Sequence, residues 1–350
     1  MMDRGPRDIP EVIAQVVRGE TLSEDGAHRL FDEILRGGLG DQVIKDVLIA
    51  IQRRSPTVDE LVGAARAMRS HLTPLDTGGL AGPVIDTCGT GGAPKTFNVS
   101  TIAAIVVAGA LPGQIFVAKH GNRSRTGRGS AEILTALGVN VDAPTSVQEA
   151  CLRACGVCFC FAIHHHPAAK FAGPARRAIG TPTIFNLLGP LTNPAGAGHQ
   201  LLGVYDEDLA AKVAEALAKL GSVRSLVVHG HGGLDELSTT GPNLVWRIEA
   251  GRSIADTLDG SDCGFARPAP DALTVDSLAA ATTLASHILM GETTGSVGAC
   301  RDMVVLSAAA ALATALEGLT LPDAATLARE SIDSGRARRT LADLAAMSQG

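Results

Sequence analysis

Between Val84 and Val107 the chain reads as strand, glycine loop and helix in immediate succession, and that order restricts the fold more than any other stretch. Val84-Ile85 is strand-like, and Asp86-Thr-Cys-Gly-Thr-Gly-Gly-Ala-Pro-Lys-Thr-Phe-Asn-Val-Ser-Thr101 leads into the apolar run Ile102 to Val107. Gly89, Gly91 and Gly92 let the backbone bend at φ > 0 and approach a ligand closely, and Ser100 or Thr101 is expected to cap the helix. Uncapped N–H groups at a helix start favour an anion. The loop lacks the Gly-Lys-Ser/Thr ending of a Walker loop, and Pro94 takes the third glycine place of a dinucleotide fingerprint. Two readings stay open: a different phosphorylated ligand, or a glycine turn with none.

The same strand-to-helix alternation continues from Pro83 to about Glu249. Strands are expected at Val84-Ile85, Ile115–Ala118, Val157–Ala162, Leu201–Tyr205, Leu226–His229 and Leu244–Ile248, with helices at Thr101–Ala110, Ser130–Leu137 and Leu209–Leu220. Alternation predicts an α/β fold with a mostly parallel central sheet covered by helices. Residues from about Ile9 to Leu72 read instead as several short helices, with a capping-box spacing at Thr57-Val-Asp-Glu60. At 350 residues, a small helical N-terminal domain over 1–77 and a large α/β domain over 78–350 are expected. Ser277–Leu289 and Met303–Leu316 read as Ala-rich helices that cover the core.

Two further segments carry chemistry. Lys119-His-Gly-Asn-Arg-Ser124 follows a predicted strand, and Gly127 to Ser130 then opens a helical stretch closed by Gly138, which implies a second anion pocket. Asp235 and Glu236 stand just beyond the strand-like Ser225–His229, where hard oxygen ligands suit magnesium arriving with a substrate's phosphates. Aromatics are only 3%, which makes base-stacking platforms scarce, and the formal charge of −6 argues against a general polyanion binder. A local basic pocket from Lys119, Arg123, Arg125, Arg128, Arg176 and Arg177 fits small anions better than nucleic acid. Met1-Met-Asp-Arg-Gly-Pro lacks the apolar core of a signal peptide, and no apolar run reads as long and uninterrupted enough to span a bilayer, so a cytoplasmic protein is expected.

Four of the seven cysteines crowd together as Cys151, Cys155, Cys158 and Cys160. Cys151 and Cys155 share a helical face and Cys158 and Cys160 a strand face, with a single Cys-x-x-Cys knuckle, so packing rather than zinc is expected. His164-His-His166 is read as strand, where consecutive side chains alternate faces and cannot all bind one ion.

Together, Gly89-Thr-Gly-Gly92, Asn98-Val-Ser-Thr101, Lys119-His-Gly-Asn-Arg123, Gly129-Ser-Ala131, His166-Pro-Ala168, Thr183-Ile-Phe-Asn-Leu-Leu-Gly-Pro-Leu-Thr-Asn-Pro194 and Leu234-Asp-Glu-Leu237 closely resemble the anthranilate phosphoribosyltransferase family over nearly the whole chain. The resemblance implies transfer of phosphoribose from phosphoribosyl pyrophosphate (PRPP) to the amine of anthranilate in tryptophan biosynthesis. It also implies a homodimer formed through the helical domain, which part of 175–200 would join. Residue by residue it assigns PRPP to Gly89, Gly91, Gly92, Thr96, Asn98, Ser100, Thr101, Lys119 and Ser130. Anthranilate falls to Gly89, His120, Asn122, His166 and Arg176, and one or two Mg2+ ions per chain to Ser100, Asp235 and Glu236. Lys119, Asp235 and Glu236 would stabilise the transition state, with no proton acceptor identified. His164 and His165 are expected at the surface or behind the pocket. Two positions depart from the family pattern: Ala93 stands where it has Asp, and Pro182 where it has Arg. The rivals are a pyrimidine nucleoside phosphorylase, whose Lys-x-Ser-Gly-Arg-like element is not apparent, and a non-catalytic relative that binds nucleic acid or a partner.

Overall fold

The computed structural model describes residues 8–94, 96–124 and 126–350; Arg125 of the expected basic pocket lies outside them. The chain opens with helices α1 (Ile9–Val17), α2 (Glu24–Leu35), α3 (Asp41–Arg54) and α4 (Val58–Ser70). Their starts follow local chemistry: Ser23 Oγ accepts the Gly26 N–H, and Thr57 with Glu60 closes the expected capping box.

A seven-stranded sheet follows, built from β1 (Val84–Gly89), β2 (Phe116–Gly121), β3 (Val157–Phe161), β4 (His199–Gly203), β5 (Arg224–His229), β6 (Asn243–Glu249) and β7 (Arg252–Leu258) in the order β3-β2-β1-β4-β5-β6-β7. The first five strands in that order are parallel, and β5, β6 and β7 are antiparallel neighbours. The crossovers carry α5 (Val99–Ala110), α6 (Ser130–Ala136), α7 (Thr145–Cys155), α8 (Ala162–His165), α9 (Gly173–Ile179), α10 (Ile184–Leu188) and α11 (Glu207–Lys219). Four helices, α12 (Leu278–Leu289), α13 (Gly295–Ala315), α14 (Leu321–Asp333) and α15 (Arg336–Met347), complete the chain.

Strand alternation divides the core. Leu201, Leu226 and Val228 face a cluster filled by α5, α13 and α14, whereas their neighbours Leu202 and Val227 face one shared with α11 and the N-terminal helices. Ala172, Ala175 and Ile184 to Leu191 join this second cluster, so α9 and α10 pack with α3 and α4. Arg69 links these layers, its guanidinium donating to the carbonyls of Leu191 (3.0 Å) and Leu220 (3.2 Å).

Several expectations change. Strand β1 continues through Asp86, Thr87 and Cys88 to Gly89, and β2 includes Lys119 and His120, so these polar residues are strand rather than loop. Strand β7 has no counterpart among the expected strands: it is an exposed, largely polar edge, which gives no apolar alternation to read. His164 and His165 lie on α8, not on a strand, and His165 is fully buried, held by the Thr73 carbonyl and Gln148 Oε1 at 2.8 Å each. The expectation on membrane-spanning runs is also corrected, since α13 is long and apolar enough to cross a bilayer; most of it is buried as a core helix. Cys158 and Cys160 share one face of β3 with sulfurs 3.8 Å apart, and among the described residues no group of three or more His, Cys, Asp or Glu is arranged to hold a metal.

The helical layer depends on one buried charge. Glu60 is 0% exposed, accepts the N–H groups of Leu22 (3.0 Å) and Thr57 (2.9 Å), and pairs with the Arg54 guanidinium (Nη1 to Oε2, 2.8 Å). Removing one member of a buried pair leaves the other uncompensated. Glu60→Ala should therefore cost about 3–5 kcal/mol of stability by denaturant titration, while Asp59→Ala, which breaks an exposed pair with Lys219, should cost less than about 1 kcal/mol.

Candidate functional site

The parallel strands all end at one edge of the sheet, and the loops beyond their carboxyl ends are where such sheets bind ligands. At that edge Asp235 and Glu236 lie on the turn after β5 and reach the glycine loop after β1. Asp235 Oδ2 accepts the Gly91 N–H at 2.8 Å, and Glu236 Oε2 accepts from Thr96 Oγ1 at 2.8 Å. Glu236 Oε1 faces the Ser100 N–H at 3.4 Å. Glycines make this contact sterically available: a Cβ on Gly89 would lie 2.9 Å from Asp235 Oδ2, and one on Gly203 would run into the Asp235 carbonyl. Gly91 (φ +65°) and Gly92 (φ +101°) are left-handed, and Gly92 lies against the ring of Tyr205.

The helix cap is a correction. Neither Ser100 nor Thr101 caps α5; Asn98 holds the N-cap position without a side-chain cap bond, and Glu236, distant in sequence, approaches the Ser100 N–H instead. Asn98 Nδ2 donates to the Arg128 carbonyl at 3.2 Å, tying the first loop to the second. Thr101 is buried inside the helix start.

Lys119 is 3% exposed and donates from Nζ to the Thr87 carbonyl at 2.6 Å and towards Ser100 Oγ at 3.4 Å. Burial lowers its pKa, opposed by Asp86, Cys88 and Glu236. Cys88, Ser100, Leu201, Gly203, Val228 and Ser307 line the hollow around the two carboxylates. Ser100, Asp235 and Glu236 are hard oxygen donors without sulfur or imidazole. That chemistry suits Mg2+, which would draw its remaining ligands from phosphate and water.

A second group sits on the other side of β2. The rings of His120 and His166 are 5.0 Å apart, His120 Nδ1 contacts the Gly189 carbonyl at 3.1 Å, and His120 Nε2 and both ring nitrogens of His166 are buried without a hydrogen-bond partner among the described residues. Burial, then the proximity of His166 and of His165, pushes the His120 pKa well below its usual value; burial first and His165 second take His166 down to about 4. Both imidazoles are neutral at neutral pH. Arg176 on α9 stacks over Phe185 with its guanidinium 5.1 Å from the ring centroid.

Asn122 and Arg176 make no hydrogen bond or ring contact with the histidine pair. Asn122 is exposed, its side chain accepting from the Arg123 N–H at 2.8 Å, while its carbonyl accepts from Ser130 Oγ at 3.3 Å. Three residues of the site carry no role in the sequence reading: Asp86, Asn193 and Tyr205. A carboxylate at the start of the glycine motif, directly after the apolar Val84-Ile85, is the available signal for Asp86.

Two family models match: the glycosyl transferase family a/b domain over residues 81–338 and the glycosyl transferase family helical bundle domain over 10–72. The chain is 44% identical over 346 residues to an anthranilate phosphoribosyltransferase of Roseiflexus sp. (strain RS-1), covering 98% of each chain. A crystal structure of an anthranilate phosphoribosyltransferase from Thermus thermophilus superposes with a TM-score of 0.88 at 36% identity, over 97% of this chain and 99% of that one. The Saccharomyces cerevisiae enzyme in complex with PRPP and Mg shares the fold with a TM-score of 0.86 at 24% identity, over 97% and 98% of the two chains.

The buried histidine gives a signed pH dependence. His166 titrates near 4 when folded and near 6.5 when unfolded, so between these values the unfolded chain binds more protons and stability rises with pH. Acidification from pH 6.5 towards 4 should remove on the order of 3 kcal/mol through this group. His166→Asn should flatten the melting temperature's pH dependence in that window, and an unaltered slope would contradict the assignment.

Proposed function

The chain belongs to the anthranilate phosphoribosyltransferase family, and on that premise we propose that it transfers the phosphoribosyl group of PRPP to the amine of anthranilate with release of pyrophosphate. One observation carries the reading beyond family membership. Backbone and side-chain donors at Gly91, Thr96, Ser100 and Lys119 converge with Asp235 and Glu236 on one side of β2, and two neutral imidazoles lie on the other.

Within this reading Gly89, Gly91, Gly92, Thr96, Asn98, Ser100, Thr101, Lys119 and Ser130 hold PRPP. Fixed amides and hydroxyls supply oriented donors, and the Lys119 ammonium supplies a buried positive charge. Ser100, Asp235 and Glu236 would hold one or two Mg2+ ions. Such an ion, when bound, neutralises charge building on the leaving pyrophosphate. Gly89, His120, Asn122, His166 and Arg176 receive anthranilate. The neutral histidine rings present unfilled polar atoms to the uncharged amino group of anthranilate, and the Arg176 fork matches its carboxylate. The aromatic amine is largely unprotonated at neutral pH and demands no strong base. Positioning and leaving-group stabilisation therefore dominate the rate.

The reading keeps the division at 77/78, with part of 175–200 joined to the helical side; the shared core of α3, α4, α9 and α10 supports it. It also keeps a homodimer through the helices. A cytoplasmic location completes it.

Mixing the purified protein with PRPP, Mg2+ and anthranilate, and following loss of anthranilate fluorescence, tests the function directly. No loss of fluorescence would overturn it.

The carboxylates occupy the same donors that the anion requires, which gives two opposite expectations for one variant. Asp235→Asn should lower turnover steeply and blunt its Mg2+ dependence. The same change should tighten binding of metal-free inorganic pyrophosphate by about tenfold in calorimetry, because a competing negative charge is gone. An unchanged Mg2+ response would remove Asp235 from the metal site.

Arg176 separates anthranilate from substrates lacking a carboxylate. Arg176→Ala should lower kcat/KM for anthranilate about ten- to hundred-fold or more, and Arg176→Lys should recover only part, since lysine lacks the bidentate fork. PRPP binding should change much less; a loss confined to PRPP would place Arg176 on the phosphate side.

A further inference from the structure

Strands β1 and β2 form a fork. Their register runs only through Val84↔Phe116 and Ile85↔Val117, after which β1 stays paired with β4 as far as Gly89↔Gly203 and β2 with β3 as far as Gly121↔Phe161. Backbone groups freed by the fork are buried and need partners. Side chains supply them: Asp86 Oδ1 accepts the His120 N–H at 3.0 Å, Lys119 Nζ donates to the Thr87 carbonyl at 2.6 Å, and Asn193 Nδ2 donates to the Ala118 carbonyl at 2.8 Å.

The Asp86 bond has a special location. The His120 N–H belongs to the peptide unit that joins Lys119 to His120, and these residues send their side chains to opposite sides of β2. Lys119 points towards Thr87 and Ser100 on the phosphate side, and His120 towards His166 and Gly189 on the acceptor side. Asp86 is itself 0% exposed, so its carboxylate cannot be replaced there by bulk water.

We propose that Asp86 is a positioning residue that sets the distance between the two half-sites, by holding the Lys119–His120 peptide in the fork between β1 and β2. It touches neither substrate. Each substrate keeps its other contacts when Asp86 is lost, PRPP on the glycine loop and anthranilate at His166 and Arg176. What changes is how the anomeric carbon and the amine meet, and an error of about 1 Å in such alignment can cost about a hundredfold in rate.

The inference rests on the proposed function, and wild-type turnover in the fluorescence assay establishes that reading separately before any variant is compared. Asp86→Asn keeps both the volume and an oxygen acceptor at the same reach, whereas Asp86→Glu keeps the carboxyl group but moves it by one methylene. Asp86→Val removes the acceptor. In steady-state kinetics Glu and Val should lower kcat by about a hundredfold with both KM values within a few-fold of wild type, and Asn should lose less than about tenfold. Lys119→Met and His120→Ala provide the contrast, raising chiefly the PRPP and the anthranilate KM respectively. Should Asp86→Val fail to fold by circular dichroism, the order of Asn and Glu decides the matter. The proposal is overturned if Glu retains kcat as well as or better than Asn, or if the variants raise one KM while kcat stays at the wild-type value.

Discussion

A bare helix start met by a carboxylate from a remote loop is the interaction on which the site depends. Helix α5 is buried nearly all round and cannot turn its first N–H groups to bulk water. Glu236 approaches one of them, Asp235 takes the Gly91 N–H of the preceding loop, and glycines at 89 and 203 admit the acidic turn to that depth. Acid and anion-binding loop are thus packed on each other before any anion arrives. Under the proposed function, a cation that recruited the carboxylates would also release donors for phosphate oxygens.

Much of this is readable before the fold. The order of strands and helices follows from alternation, the Thr57 capping box from its spacing, and the position of Asp235-Glu236 beyond a buried strand from the apolar run before it. Local rules fail where distant groups decide. Asn98 rather than Ser100 starts α5 because the cap comes from Glu236, which no local window contains. His165 resembles a surface residue in sequence, yet two partners far along the chain satisfy its ring and let it be buried. Strand β7 is polar along an exposed edge and pairs with β6 through the backbone ladder and the exposed Arg247–Asp256 ion pair, neither of which leaves an apolar alternation to read.

The two sides of β2 differ in electrostatic character for the same reason, namely burial. On one side a buried ammonium is balanced by nearby acids, while on the other burial suppresses charge on two imidazoles. Under the proposed function, a highly charged phosphate ester and a flat aromatic ring would therefore meet different surroundings a single residue apart. The parting of β1 and β2 makes room for both, and parallel strands can part in this way because their partners on the outer sides, β4 and β3, hold them in the sheet.

Helix α13 packs against α5, α14 and strands β1, β4 and β5, yet it lies at residues 295 to 315, after every strand of the sheet. In terms of synthesis, the sheet is complete well before the helix that covers one of its faces leaves the ribosome. During that interval the apolar residues of that face have lost neither their solvent exposure nor their capacity to associate with other chains. The last quarter of the chain consequently governs how safely the first three quarters can be made. Slow translation ahead of α13 would lengthen the exposure, and the yield of soluble protein would fall with no change in the stability of the finished fold.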